Sequence, residues 1–212
     1  MQLSAHAFWF LFGADDSSEK RKGFGSLLDA LSFAMQNEAF RKQVESARVC
    51  FASFGESRGA VLPEFPLPLT NFGRIESDQK LAQLYAAADT LLLPSLEENL
   101  PNAMIELMCC GTPVLAFNTG GFPDAVEDGV TGKLLPTGDT RAFGKAIVEL
   151  SQQPDHCAEL ARNCRGEMAA RYSLCLQAEC YAKLYLNALA KRKTFSWGRL
   201  ECSGRNFFAS EY

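Results

Sequence analysis

The sequence predicts an open, doubly wound α/β domain. Three observations lead there: short apolar runs without polar alternation, helix-patterned stretches between them, and short connections. Runs that are apolar throughout read as strands covered on both faces, as in parallel sheets. Strand–helix alternation then implies helices on both sides of one parallel sheet. The 212 residues fit one ordinary domain of this class, with little room for a second.

The first strand is predicted at Phe8–Phe12. Residues 5–14 superficially resemble a signal-peptide core, but no Lys or Arg precedes them. The run is also well short of the roughly 20 residues that span a bilayer. A charged loop from Gly13 to Gly23 leads into a helix over Phe24–Gln36. Strands follow at Arg48–Phe54 and Leu69–Gly73, and then a helix at Ser77–Ala87. The next strand, Thr90–Pro94, precedes a helix at Pro101–Cys110 that Gly111 terminates. Strands at Pro113–Phe117 and Gly132–Leu135 complete the sheet, and a helix at Asp139–Gln152 returns over it. Two more helices, about His156–Tyr172 and Leu174–Lys191, are expected to close the domain. The second carries Leu176, Cys180, Leu184 and Ala188 as one stripe at a spacing of four. Periodicity stops there, which divides the chain into a domain over 1–190 and a tail over 191–212. That tail has five Lys and Arg against two acids, with Phe195, Trp197, Phe207, Phe208 and Tyr212 scattered through it.

Composition excludes several function classes. Hydrophobic residues make up 47% and charged residues 22%, which rules out collagen-like, coiled-coil and wholly disordered chains. The net charge of -4 argues against general nucleic-acid binding, which requires a basic face. Eight cysteines are irregularly spaced with no Cys-x-x-Cys, and His6 and His156 are the only histidines. No zinc-ligand spacing is present, so the cysteines are expected to be reduced, buried thiols of a cytoplasmic protein.

Open parallel sheets bind ligands at the carboxyl ends of their strands. After Thr90–Pro94 comes Ser95-Leu96-Glu97-Glu98-Asn99-Leu100-Pro101, then Asn102 and Ala103 at a helix start. Free N–H groups and the helix dipole make such a start a ready anion site. Asn102 and Glu106 share one helix face, and the neighbouring residues Met104, Ile105, Leu107 and Met108 are apolar. A carboxylate buried in such a helix either pairs internally or receives a ligand hydroxyl. Gly120 and Gly121, in the loop after the next strand, either make a turn or allow close backbone approach. The basic cluster Lys20-Arg21-Lys22 before the first helix either is solvated or meets a phosphate.

Taken together, these loops resemble the retaining glycosyltransferases of family 4 (glycosyl transferases group 1). More narrowly, the chain is similar to the nucleotide-sugar-binding, Rossmann-like C-terminal domain of the two-domain GT-B architecture. The carrying segments are Leu84 to Ser95, Glu98 to Glu106, Gly111-Thr112-Pro113-Val114, Gly120-Gly121-Phe122-Pro123-Asp124 and Asp128-Gly129-Val130-Thr131-Gly132. Glu98 and Glu106 match the family's Glu-x7-Glu motif. The resemblance implies that Glu106 accepts ribose hydroxyls and that Glu98 lies near the donor sugar. It implies that the Asn99, Leu100, Pro101, Asn102 and Ala103 loop faces the sugar and diphosphate, with Gly120 and Gly121 nearby. Lys22 matches the lysine that neutralises the diphosphate, and Phe72-Gly73-Arg74-Ile75 falls where the family holds the base. Many members place an arginine a few residues before the lysine; here Ala14-Asp15-Asp16 stands there, with Arg21 adjoining Lys22.

The implied reaction is retaining sugar transfer from a nucleotide sugar to an acceptor hydroxyl, in cell-surface polysaccharide or glycolipid synthesis. It implies no cofactor and no metal, because a lysine and amides stabilise the leaving group. The family's acceptor-binding N-terminal domain is expected to precede residue 1 or to be a separate partner, making this chain a truncated donor half. The alternative is a non-catalytic nucleotide-sugar-binding module or partner subunit. The basic, aromatic tail is expected to allow peripheral contact with the inner membrane face.

Overall fold

A computed structural model describes residues 3–4, 6–13, 20–55 and 65–190. Its six strands are β1 (Phe8–Gly13), β2 (Val49–Phe54), β3 (Leu69–Asn71), β4 (Thr90–Leu93), β5 (Val114–Phe117) and β6 (Gly132–Leu135). They form one sheet in the order β3-β2-β1-β4-β5-β6. Every pairing is parallel, with Phe8 opposite Val49, Phe10 opposite Thr90, Leu91 opposite Val114 and Val114 opposite Gly132. The doubly wound parallel sheet is therefore as the apolar runs predict. All of β5 and the first five residues of β1 are buried, the pattern of strands covered on both faces.

The described residues contain eight α-helices: α1 (Phe24–Ala34), α2 (Glu38–Glu45), α3 (Asp78–Ala87), α4 (Asn102–Cys110), α5 (Phe122–Ala125), α6 (Thr140–Gln152), α7 (Pro154–Arg171) and α8 (Leu174–Ala190). Sequence pattern alone missed α2 and the single-turn α5. Asn37 caps α2 by accepting the Phe40 amide at 3.0 Å, and Phe40 and Val44 anchor its buried face.

Aromatic side chains dominate the core. Phe10 stacks on Phe51 at 5.5 Å between ring centroids, and Phe117 meets Phe143 edge-on at 5.0 Å. Helices α1 and α6 touch through Gly144, where an added Cβ would strike the Ala30 carbonyl.

The described residues as far as Met168 form one compact unit, and those from Ala169 form a second. Within the first, α7 buries Cys157, Leu160, Cys164 and Met168. Helix α8, in the second unit, buries no side chain. Leu174, Tyr185, Leu186 and Leu189 are each more than 60% exposed. The thiols also depart from expectation: Cys157 and Cys164 are buried, whereas Cys109 and Cys175 are exposed. The tail over 191–212 lies outside the described residues, as do Ala14, Asp15 and Asp16. No helix among the described residues is long and apolar enough to cross a membrane.

Candidate functional site

Strand order reverses between β1 and β4, so the connections leaving them diverge to opposite sides of the sheet. That divergence opens a crevice at the carboxyl edge, the position where doubly wound sheets bind ligands. Three loops meet there: the turn before α1, the segment 94–101 before α4, and the segment 118–121 before α5.

Backbone contacts tie the three together. The Leu96 amide donates to the Arg21 carbonyl at 2.7 Å. The Gly121 amide donates to the Asn99 carbonyl at 3.0 Å, and the Thr119 hydroxyl donates to the Leu96 carbonyl at 3.0 Å. Glycine is required at the crossings. Gly23 (φ 69°) and Gly120 (φ 52°) both adopt left-handed backbone, and an added Cβ would strike the Pro94 carbonyl and the Glu98 carbonyl respectively. At Gly121 an added Cβ would stand 2.8 Å from the Asn99 carbonyl oxygen. The paired glycines thus allow close backbone approach and hold the 95–101 loop in place.

Lys22 ends a short 3-10 turn, Lys20–Lys22, and its Nζ lies 2.5 Å from Glu98 Oε2. Arg21 Nη1 lies 3.8 Å from the same oxygen, and the Asn99 amide donates to Glu98 Oε1 at 3.1 Å. The Glu98 side chain is 13% exposed and that of Lys22 30%, so water screens this pair only in part. The structure therefore brings Lys22 to Glu98, 76 residues on in sequence, and to its neighbour Asn99.

Helix α4 begins beside them. Pro101 precedes it without a side-chain cap, whereas Ser77 and Asp139 cap α3 and α6. Among the described residues, nothing accepts a hydrogen bond from the Asn102 or Ala103 amide. Two amides and the positive end of the helix dipole thus face the crevice without an internal acceptor.

Glu106 corrects one expectation. It is exposed, not buried, and shares an exposed face with Asn102 and Cys109 while Met104, Leu107 and Met108 face the core. Its internal partner is weak: the Tyr85 hydroxyl is 3.5 Å from Glu106 Oε2, too long for a strong hydrogen bond. The carboxylate remains open to an incoming hydroxyl. Tyr85 itself packs edge-on against Phe54 at 5.3 Å, linking the Glu106 wall to the end of β2.

Beside β2 lies the segment expected to hold a base. The Phe72 amide donates to the Ser53 carbonyl at 2.9 Å, and the Gly55 amide to the Gly73 carbonyl at 2.9 Å. Gly73 has φ 59°, and its amide donates to Asn71 Oδ1 at 2.8 Å. Arg74 is exposed and Ile75 half-buried. Among the described residues, neither is hydrogen-bonded or ion-paired to Lys22, Glu98 or Glu106. Sequence reasoning missed the Thr119 hydroxyl and the Arg21 carbonyl as parts of the site, because backbone latches leave no sequence signature. A separate hollow of about 400 Å³, lined by Asp29, Phe33, Gln36 and Arg141 on α1 and α6, contains none of these residues.

The fold and the crevice define a Rossmann-like domain of the kind found in GT-B glycosyltransferases. The sequence model of the glycosyl transferases group 1 family matches residues 10–153, and the chain belongs to that family. A D-inositol 3-phosphate glycosyltransferase from Saccharomonospora viridis is 36% identical over 122 residues, covering 58% of this chain and 28% of that protein. Among solved structures, the HepE protein of Anabaena in complex with UDP is similar at 21% identity and a TM-score of 0.68, covering 86% of this chain and 50% of that one. The C-terminal domain of the group 1 family protein LpcC from Francisella tularensis is similar at 16% identity and a TM-score of 0.61, covering 79% of this chain and 87% of that domain. These two structural likenesses concern the fold. The chain spans about half of HepE, and its match takes in under a third of the curated relative.

Proposed function

We propose that this chain is the donor half of a retaining, family 4 glycosyltransferase, corresponding to the C-terminal half of such enzymes. It takes a nucleotide sugar and contributes to transfer of the sugar to an acceptor hydroxyl, in cell-surface polysaccharide or glycolipid synthesis. The observation that carries this reading is the convergence of Lys22, Glu98 and the uncapped start of α4 at the strand-order reversal. HepE, solved with UDP, and the group 1 glycosyltransferases support it.

In this reading the Asn102 and Ala103 amides and Lys22 bind the donor diphosphate. Glu106 accepts the ribose hydroxyls, and the Gly73 to Ile75 backbone lies against the base. During transfer the bond from the anomeric carbon to the diphosphate oxygen breaks. The acceptor oxygen bonds to that carbon on the same face, and the acceptor proton passes to the released diphosphate. Lys22 and the helix start stabilise the charge that develops on the leaving oxygen. The chemistry calls for no cofactor or metal. The acceptor side is supplied by a domain or partner outside these residues, and the protein acts in the cytoplasm, at the inner membrane face.

A transfer assay tests the reading. The purified chain is mixed with a panel of nucleotide sugars and simple acceptors, and free diphosphate and glycosylated product are quantified. Positioning donor and acceptor together contributes about 7–11 kcal/mol to such a reaction. The chain alone should therefore bind donor and hydrolyse it slowly at most. Robust acceptor-dependent product would place the acceptor site within residues 1–212 and refute the donor-half reading. Binding without any hydrolysis or transfer, even with a separately supplied acceptor domain, would favour a non-catalytic nucleotide-sugar-binding subunit.

A further inference from the structure

We propose that the Glu98 carboxylate is an internal stand-in for the donor diphosphate: it engages the same cation and amide and must be displaced when the diphosphate binds. This rests on the donor-site reading above and adds a competitor to it. Two of the groups expected to receive the diphosphate are already engaged, and by the same side chain. Glu98 Oε2 takes Lys22 at 2.5 Å while Oε1 takes the Asn99 amide at 3.1 Å. Arg21 adds a second cation at 3.8 Å from Oε2. One carboxylate thus offsets part of the charge of the basic turn, and it holds Lys22 against the loop where phosphate oxygens would arrive.

A diphosphate arriving there is opposed by Glu98, because two like charges held at one site repel each other. The backbone of Glu98 cannot move aside. Its carbonyl packs on Gly120 without room for a Cβ, and Asn99 is latched to Gly121 at 3.0 Å. Displacement therefore occurs by rotation of the Glu98 side chain alone, with Lys22 and the Asn99 amide left in place for the phosphate. The same rotation in reverse would help expel the diphosphate product, so Glu98 sets both donor affinity and product release.

The experiment is a calorimetric titration of the full chain with UDP, inorganic pyrophosphate and uridine. It compares wild type, Glu98→Gln, Glu98→Ala, Lys22→Ala, Glu106→Ala and the Lys22→Ala/Glu98→Gln double variant. Removing one competing charge at about 4 Å should tighten UDP and pyrophosphate binding at least about fivefold, the value for full screening by water. Both Glu98 variants should show this gain, uridine affinity should not change, and the gain should vanish on the Lys22→Ala background. A general loosening of the loop would instead alter uridine binding as well. Unchanged or weaker UDP binding in both Glu98 variants, with Lys22→Ala still weakening it, would overturn the stand-in while leaving the donor site intact. UDP affinity indifferent to Lys22, Glu98 and Glu106 alike would overturn both.

Discussion

Gly120 is the position where a single methyl group should disturb the site most. Its backbone lies at φ 52°, where an L side chain costs about 1–2 kcal/mol. An alanine Cβ would also overlap the Glu98 carbonyl, and the Glu98 segment is latched on both sides, through Leu96 to Arg21 and through Asn99 to Gly121. Forcing an added carbon into a packed contact costs a further 1–3 kcal/mol or so. Gly129 is the matched control: its φ is 76°, and an added Cβ would meet nothing within 4 Å. Gly129→Ala should lose only the conformational part, about 1–2 kcal/mol, and Gly120→Ala roughly 2–5 kcal/mol. In a chain of this length each kcal/mol lowers the melting temperature by about 2–4 °C, so thermal and urea unfolding resolve the difference. UDP binding should weaken in Gly120→Ala and stay unchanged in Gly129→Ala. Equal destabilisation of the two variants would refute the close approach. Loss of stability with UDP affinity intact would refute the claim that this contact shapes the donor site.

Two further outcomes are expected. Burial pushes the Cys157 thiol up to about 11 and the Cys164 thiol up to about 12, from an ordinary 9.0. Between pH 9 and 11 the unfolded chain therefore sheds protons that the folded chain keeps, so stability should fall as pH rises through that window. Urea titrations across it should show a shallower fall in Cys164→Ala, and an unchanged slope would contradict the assignment. The basic, aromatic segment over 191–212 should make the chain pellet with anionic vesicles, and deleting it should abolish pelleting. Equal pelleting of both forms would end the proposed membrane contact.

The sheet was legible because its central strands, β1 and β5 above all, are buried on both faces, and β1 to β6 each fall within a residue or two of the predicted runs. Helix α2 escaped because it spans only two turns, although Asn37 and the Phe40–Val44 pair mark it in retrospect. At the site, the Lys22–Gly23 dipeptide and the Glu98–Glu106 spacing were readable, but the latches between loops were not, since any residue can supply a backbone carbonyl. Glu106 was misjudged because its neighbours in sequence are apolar. The helical turn nevertheless places it with Asn102 and Cys109 on the outward face. The stripe on α8 was visible too, but periodicity reports that a face is apolar and not what covers it.

The central claim is that this crevice binds a nucleoside diphosphate through Lys22 and Glu106, and affinity measures it directly. UDP, with GDP and ADP as alternative bases, is titrated into wild type, Lys22→Ala and Glu106→Ala, with folding of each variant confirmed by its unfolding midpoint. In the proposed site, Glu106→Ala would remove two ribose hydrogen bonds to a charged acceptor, worth about 1.5–3 kcal/mol each and toward the lower value at an exposed carboxylate. Lys22→Ala removes the cation set against the diphosphate. Both variants should bind at least tenfold more weakly than wild type, or about 1.4 kcal/mol, for whichever nucleotide binds best. Equal affinity in all three proteins, or no binding of any nucleotide to folded wild type, would contradict the account.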